Sequence, residues 1–171
     1  MTDKLPSYNV RSYEDQREHN RQYRDALGAY PTGVAIVCGR GGDGHPQGLT
    51  INSFASVSLD PPLVLWSLAS TSESLAAFEK GKPFSLTILS EGQENLAQLF
   101  ASEGADRFAD TSTQDGVNGV PIIDGGSAFF ECTTFAVHDG GDHKIIVGQV
   151  TRFGESGASS LLYHKGMFRP L

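Results

Sequence analysis

The stretch that most restricts this chain runs from Gly48 to Leu68 and reads GLTINSFASVSLDPPLVLWSL. It opens with small and hydroxylic residues, turns at Asp60-Pro61-Pro62 and leaves as an apolar run. In an extended strand Thr50, Asn52, Phe54, Ser56 and Ser58 share one parity and lie on one face, with Ser53 adding a further hydroxyl. A core face would be apolar, and a solvent face of this length would carry charges. Thr, Asn and Ser with a single Phe suit a neutral, polar, flat ligand. The alternative is a serine-rich sheet edge or an irregular loop.

The rest of the chain sets the class. At 171 residues there is room for one domain with a substantial core. A net charge of −7 argues against a general electrostatic grip on nucleic acid or anionic lipid. No apolar run reaches membrane-spanning length, and the polar N-terminus lacks the apolar core of a secretory signal. Cys38 and Cys132 are isolated in strand-like sequence, which reads as two buried free thiols in a reducing compartment, most simply the cytoplasm.

Residues 1–20 read as an N-terminal arm and 21–171 as the folded domain. The first dozen residues look loose. From Tyr13 the chain is helix-compatible, with Tyr23, Ala26, Leu27 and Tyr30 at i, i+3, i+4 and i+7 and a stop at Gly28 and Pro31. Strands are expected at 33–38, 63–68, 84–89, 120–123, 127–138 and 144–153, and helices at 75–80 and 93–100. The tail is expected to pack Tyr163, Met167 and Phe168. Many short strands with Gly and Pro turns, and few helices, give a mostly β, antiparallel barrel or sandwich.

Two motifs are set aside. Gly39-Arg40-Gly41-Gly42-Asp43-Gly44 has GxGxxG spacing after a strand, but His45-Pro46-Gln47-Gly48 follows where a dinucleotide site needs a helix. A hairpin loop is the better reading. His138, Asp139, Asp142 and His143 crowd one turn, yet no helical HxxxH or HExxH accompanies them, so hydrogen bonding within the turn is preferred to a metal and none is expected. Ser72-x-Ser74 is more informative. Ser74 is placed as the N-cap of a helix starting at Leu75, where hydroxyls and free N–H groups can receive an anion, with Arg107 as a charged partner.

YRDALGAYPTGVAIVC, GLTINSFASVSLDPPLVL, the Ser72-x-Ser74 helix start, Arg107-Phe108 and GDHKIIVGQV together resemble the flavin reductase-like family, from about Tyr23 to the C-terminus. The resemblance implies an FMN-binding split β-barrel, Greek-key-like, with a few short flanking helices. It also implies a homodimer with flavin near the subunit interface. Relatives of this kind pass a hydride from NADH or NADPH to FMN or FAD and release reduced flavin to a separate monooxygenase.

By the same resemblance, Thr50, Asn52, Ser53, Phe54, Ser56 and Ser58 line the flavin ring and ribityl chain, with Ala55 in the same run. Ser72 and Ser74 hold the phosphate, with Arg107 and Phe108 nearby. Pro31, Thr32 and Gly33 close one edge, and His143 faces the nicotinamide. Ser74 stands where many relatives have Thr, and either residue supplies a hydroxyl. Flavin carries the difficult chemistry, so no side-chain nucleophile is needed. The competing reading is a flavin-binding or redox-sensing protein of the same fold without efficient turnover.

Overall fold

GVAIVC is apolar at every position, which suits a strand with protein on both faces. In the computed structural model, which describes residues 8, 16–104 and 106–171, β2 (Ala35–Arg40) meets that expectation. Ala35 and Val37 enter one core, and Ile36 and Cys38 enter another. Most of the expected arm lies outside the described residues. Helix α1 (Gln16–Leu27) crosses position 20, and its Tyr23 and Leu27 are exposed in the single chain.

The strands are β1 (Thr32–Gly33), β2, β3 (Pro46–Ile51), β4 (Ala55–Leu59), β5 (Pro62–Ala69) and β6 (Pro83–Ile88). They continue with β7 (Thr113–Asp115), β8 (Pro121–Ile123), β9 (Ala128–Gly140), β10 (His143–Glu155), β11 (Leu161–His164) and β12 (Met167–Pro170). Helix α2 is Glu94–Ala101, and a 3₁₀ turn covers Glu73–Phe78. Seven strands pair antiparallel in the order β3-β2-β6-β9-β10-β5-β4, and β1-β11-β12 form a smaller sheet. The GxGxxG-like loop joins antiparallel β2 and β3, as a hairpin loop should.

The first core lies under the seven-stranded sheet. Trp66, between buried Val64 and Leu68 on β5, meets Phe78 edge-on at 4.9 Å between ring centroids. Phe84 closes this group. Fully burying side chains of this size contributes about 1.5–3 kcal/mol each. Gly148 in β10 is required here, because a Cβ there would stand 2.4 Å from Phe84 Cζ. The second core packs the other face of β2 against Leu89, Phe100, Ile123 and Leu161. Tyr163 and Phe168 reach it from the terminal hairpin, whereas Met167 is half exposed, contrary to expectation.

The central stretch is not one strand. β3 ends at Ile51, β4 begins at Ala55, and a bulge falls between Ser56 and Ser58. β3 and β4 are the two outer strands of the seven-stranded sheet, so residues 52–54 carry the chain from one edge to the other. Leaving the ladder there resets the alternation, and the five residues expected on one face do not share it.

Candidate functional site

That edge-to-edge crossing forms one wall of a cleft of about 820 Å³. Thr50, Asn52 and Ser53 line it from the crossing, and Ser72 and Ser74 from the segment after β5. Arg107 lines it from the loop after α2, and His143 from the start of β10. Seven residues expected at a ligand site, drawn from four separated segments, therefore meet in one place.

Their hydrogen bonds sort them by role. Thr50 Oγ1 donates to the Ala97 carbonyl at 2.7 Å, so its proton ties β3 to α2. Ser53 Oγ accepts from the Ser67 backbone N–H at 2.9 Å, which fixes the crossing to β5. Ser72, not Ser74, is the N-cap, and its Oγ accepts from Ser74 N at 3.2 Å. The element it caps is a six-residue 3₁₀ turn rather than an α-helix. Two residues of register separate this from the expectation, because the turn already begins at Glu73. This segment therefore offers side-chain hydroxyls rather than the dipole of an α-helix.

Ser74 Oγ donates to Gln47 Oε1 at 3.1 Å. Arg107 Nη1 donates to the Gly48 carbonyl at 2.6 Å, and its Nε and Nη2 both reach the Ser102 carbonyl. The guanidinium is thus anchored beside the cleft by backbone oxygens. His143 Nδ1 and Asp142 Oδ1 are 2.7 Å apart, and this contact holds the Asp142 carboxyl below its usual range. Ser70 N donates to the Asp142 carbonyl at 2.9 Å, which pins the turn to the end of β5. In the same turn Lys144 Nζ pairs with Asp139.

Other expected residues stand elsewhere. Phe54 packs onto the first core, 5.6 Å from Phe130 between centroids. Phe108 meets Phe100 edge-on at 5.2 Å and supports the cleft from behind. Ala55, Ser56 and Ser58 run along the edge strand β4, beyond the break, and are not among the cleft's lining residues. Pro31 and Gly33 also lie outside that lining. Thr32 instead borders a second cavity, about 880 Å³, between α1 and the β11–β12 hairpin; Asn52 lines both cavities.

Gln47, Ser67, Glu73 and Glu103 line the cleft without having been anticipated. Ser67 was readable, since Trp66 and Leu68 point into the core and alternation turns Ser67 the other way. For Gln47 and Glu103 no local pattern gives the signal. The residues present fit a flavin nucleotide. Among the described residues the buried Thr32 Oγ1 has no hydrogen-bond partner, and Ser72 Oγ accepts from Ser74 N with its own proton still to offer.

The fold is an antiparallel split barrel, and its cleft is lined by hydroxyls, amides, carboxylates, a guanidinium and an imidazole. The flavin reductase like domain model matches residues 27–171, and the chain belongs to that family. An FMN reductase (NADH) of Agrobacterium fabrum, SmoA, is 43% identical over 96% of this chain and 92% of its own length. The reductase component of a flavin-dependent trigonelline monooxygenase from Acinetobacter baylyi is 44% identical over 86% of this chain. The chain spans about half the length of that relative, 48%. The NADH:FAD oxidoreductase SgcE6 of Streptomyces globisporus, solved with NAD and FAD fragments, superposes with a TM-score of 0.84 at 34% identity, covering 89% of this chain and 92% of that one. Nitrilotriacetate monooxygenase component B from Mycobacterium thermoresistibile gives 0.87 at 36% identity, over 92% and 89%.

Proposed function

We propose that this chain is the NAD(P)H-dependent flavin reductase of a two-component system, supplying reduced FMN or FAD to a flavin-dependent monooxygenase. The observation that supports it most is the cleft itself, where Asn52, Ser53, Ser72, Ser74, Arg107 and His143 converge in a chain of this family. Ser72 and Ser74 hold the flavin phosphate and Arg107 adds positive charge beside them. Thr32 and Asn52 border the adjoining cavity along the edge of the flavin ring. Phe108 acts indirectly, by holding Phe100 and the wall behind the site.

Bound flavin supplies the redox chemistry, accepting a hydride from the reduced nicotinamide. The protein's part is placement. His143 stands at the mouth of the β9–β10 turn with its orientation set by Asp142, where it positions the nicotinamide rather than acting as an essential base. Its place among the cleft residues, with Asp142 beside it, favours turnover over mere flavin storage. Anaerobic addition of NADH to the flavin-loaded protein should bleach the flavin absorbance within the mixing time of a manual assay. Flavin that stays oxidised at saturating NADH and NADPH would leave only a flavin-holding role.

The chain works as a homodimer. Tyr23, Leu27 and Tyr30 by α1, Val57 and Leu59 on edge strand β4, and Phe153 on β10 are large apolar residues exposed in the single chain. An open sheet edge and such residues suit cover by a second copy. Light scattering at micromolar concentration should give twice the chain mass of 18.3 kDa, and a monomer mass refutes this. The buried, unoxidised Cys38 and Cys132 suit work in the cytoplasm. No helix among the described residues is long and apolar enough to cross a membrane.

A further inference from the structure

Among the described residues, Lys165 alone has a left-handed backbone without being glycine, at φ +49°. With Gly166, at φ +78°, it forms the two-residue turn between β11 and β12, where His164 pairs with Met167. Positive φ at both positions is what a type I′ hairpin turn requires, and it favours Asn-Gly or Gly-Gly. A Cβ on the first of them crowds the following carbonyl. The turn is held in place all the same, because Lys165 N donates to the Gly28 carbonyl at 2.9 Å and ties it to the end of α1. A lysine gains nothing from that backbone, so its side chain is the reason to look for.

That side chain borders free space. The cavity of about 880 Å³ is lined by Lys165 together with Thr32 and Asn52. Strand pairing brings them together: Thr32 stands directly opposite Tyr163 across β1 and β11, and Lys165 follows two residues later. Arg24 and Asp25 line the same cavity with opposite charges, which leaves the ammonium of Lys165 in surplus. Among the described residues no carboxylate forms an ion pair with it. The neighbouring cleft has the reverse balance, with Glu73 and Glu103 against Arg107. In a chain of net charge −7, the Thr32 side of Asn52 is thus the positive side.

Thr32 offers a buried hydroxyl without a partner and Asn52 an amide. Such groups suit the pyrimidine edge of a flavin, with its N–H and carbonyls, and not the methyl-bearing edge. When NADH gives up a hydride and leaves as NAD+, the two electrons and one proton that arrive put one negative charge on N1 and the C2 carbonyl of that edge. We propose that Lys165 is a catalytic residue of the flavin site: its ammonium lies at the pyrimidine edge and stabilises the charge that develops there. The inference rests on Thr32 and Asn52 bordering the flavin ring. Lys165 thereby favours reduced over oxidised flavin, and its strained backbone is what placing a cation at this turn entails.

The test is the affinity of the folded protein for oxidised FMN and for FMN reduced anaerobically with dithionite, so that no nicotinamide takes part. Lys165→Gly should weaken reduced FMN about three- to tenfold relative to oxidised FMN, a fall in midpoint potential of about 15–30 mV for two electrons. Lys165→Arg keeps the charge and should keep the wild-type ratio. Since glycine suits the left-handed backbone, Lys165→Gly should melt no lower than wild type. Stopped-flow reduction by NADH should slow in Lys165→Gly and not in Lys165→Arg.

An unchanged ratio of reduced to oxidised affinity in Lys165→Gly overturns the proposal, as does an equal loss in Lys165→Arg. A lower melting temperature for Lys165→Gly would show that the side chain serves packing, which also overturns it. Thr32→Val with Asn52→Ala, titrated alongside, separates the two levels. FMN affinity lost in that pair, with the ratio intact in Lys165→Gly, refutes Lys165 alone. FMN affinity unchanged in the pair removes the ring-edge placement and the Lys165 role together.

Discussion

Gly48 is where packing and function share one atom's worth of space, so Gly48→Ala is a demanding test. A Cβ at Gly48 would stand 2.5 Å from Phe100 Cε1 and 2.8 Å from Phe108 Cζ. Ordinary carbon contacts need roughly 3.5–4 Å, so one ring must move by about 1 Å. Neither moves freely. Phe100 is 1% exposed, and the two rings brace one another edge-to-face at 86°. Overpacking of this kind costs about 1–3 kcal/mol. For a domain of this size each kcal/mol lowers Tm by about 2–4 °C, giving a fall of about 2–12 °C. The Gly48 carbonyl also anchors Arg107 Nη1 at 2.6 Å, so FMN affinity should fall with it. Thermal melts followed by circular dichroism, beside an FMN titration, measure both. Phe108→Leu added to Gly48→Ala should return part of the loss, because the two changes couple through one contact. A Tm within about 1 °C of wild type for Gly48→Ala alone would show that the rings yield at no cost, and the argument from this contact would fail.

Further outcomes follow from the site and the cores. Ser72→Ala with Ser74→Ala should weaken FMN far more than riboflavin, by about 1.5–3 kcal/mol per charged hydrogen bond lost; equal weakening in titrations moves the phosphate elsewhere. His143→Ala should slow flavin reduction by NADH about ten- to a hundredfold in stopped flow while leaving flavin affinity intact. If instead Tm and flavin affinity drop together with reduction unchanged, His143 is only the turn partner of Asp142. Burial pushes the Cys38 thiol up to about 12 despite its Ser85 hydrogen bond, and burial with the Glu131 charge does the same to Cys132. At pH 8 only about one thiol in 10⁴ is then ionised, so neither should react with a thiol-disulfide dye in minutes until the protein is unfolded. Rapid labelling of the native protein would contradict the burial.

The strands of the core were legible because their signal is local. GVAIVC declares two buried faces, and LVLWSL alternates around Trp66. The long ribbon of β9 and β10 is bracketed by its own Gly-containing turn. The break at residues 52–54 was not legible. Asn52-Ser53-Phe54 continues the preceding pattern by composition, and only the identity of each strand's partner, β2 on one side and β5 on the other, forces the chain out of register. That Phe54, Ser56 and Ser58 do not continue the face of Thr50 follows from that single event. Ser72 and Ser74 both line the cleft, since they lie two apart whichever of them caps the turn. Phe108 and its neighbour part company: Arg107 reaches the cleft, and the phenyl ring turns inward to Phe100.

The order in which the strands pair bears on when the protein can first recognise its ligand. The ribbon from Ala128 to Glu155 closes across a turn at Gly141-Asp142, and β2 finds β3 across a loop of similarly short reach. Such contacts cost little loop entropy and form early. The cleft needs the expensive ones as well: Ala69 must find His143, and Ile88 must find Ala128. Because the cleft draws on Gln47 to Ser53, Ser67 to Ser74, Phe100 to Gly104, Arg107 and His143, no half-assembled chain holds it. Flavin affinity should therefore appear only with the last slow phase of refolding. Ligand at a hundred times its Kd would then favour the finished chain by about 2.7 kcal/mol without hastening the early steps.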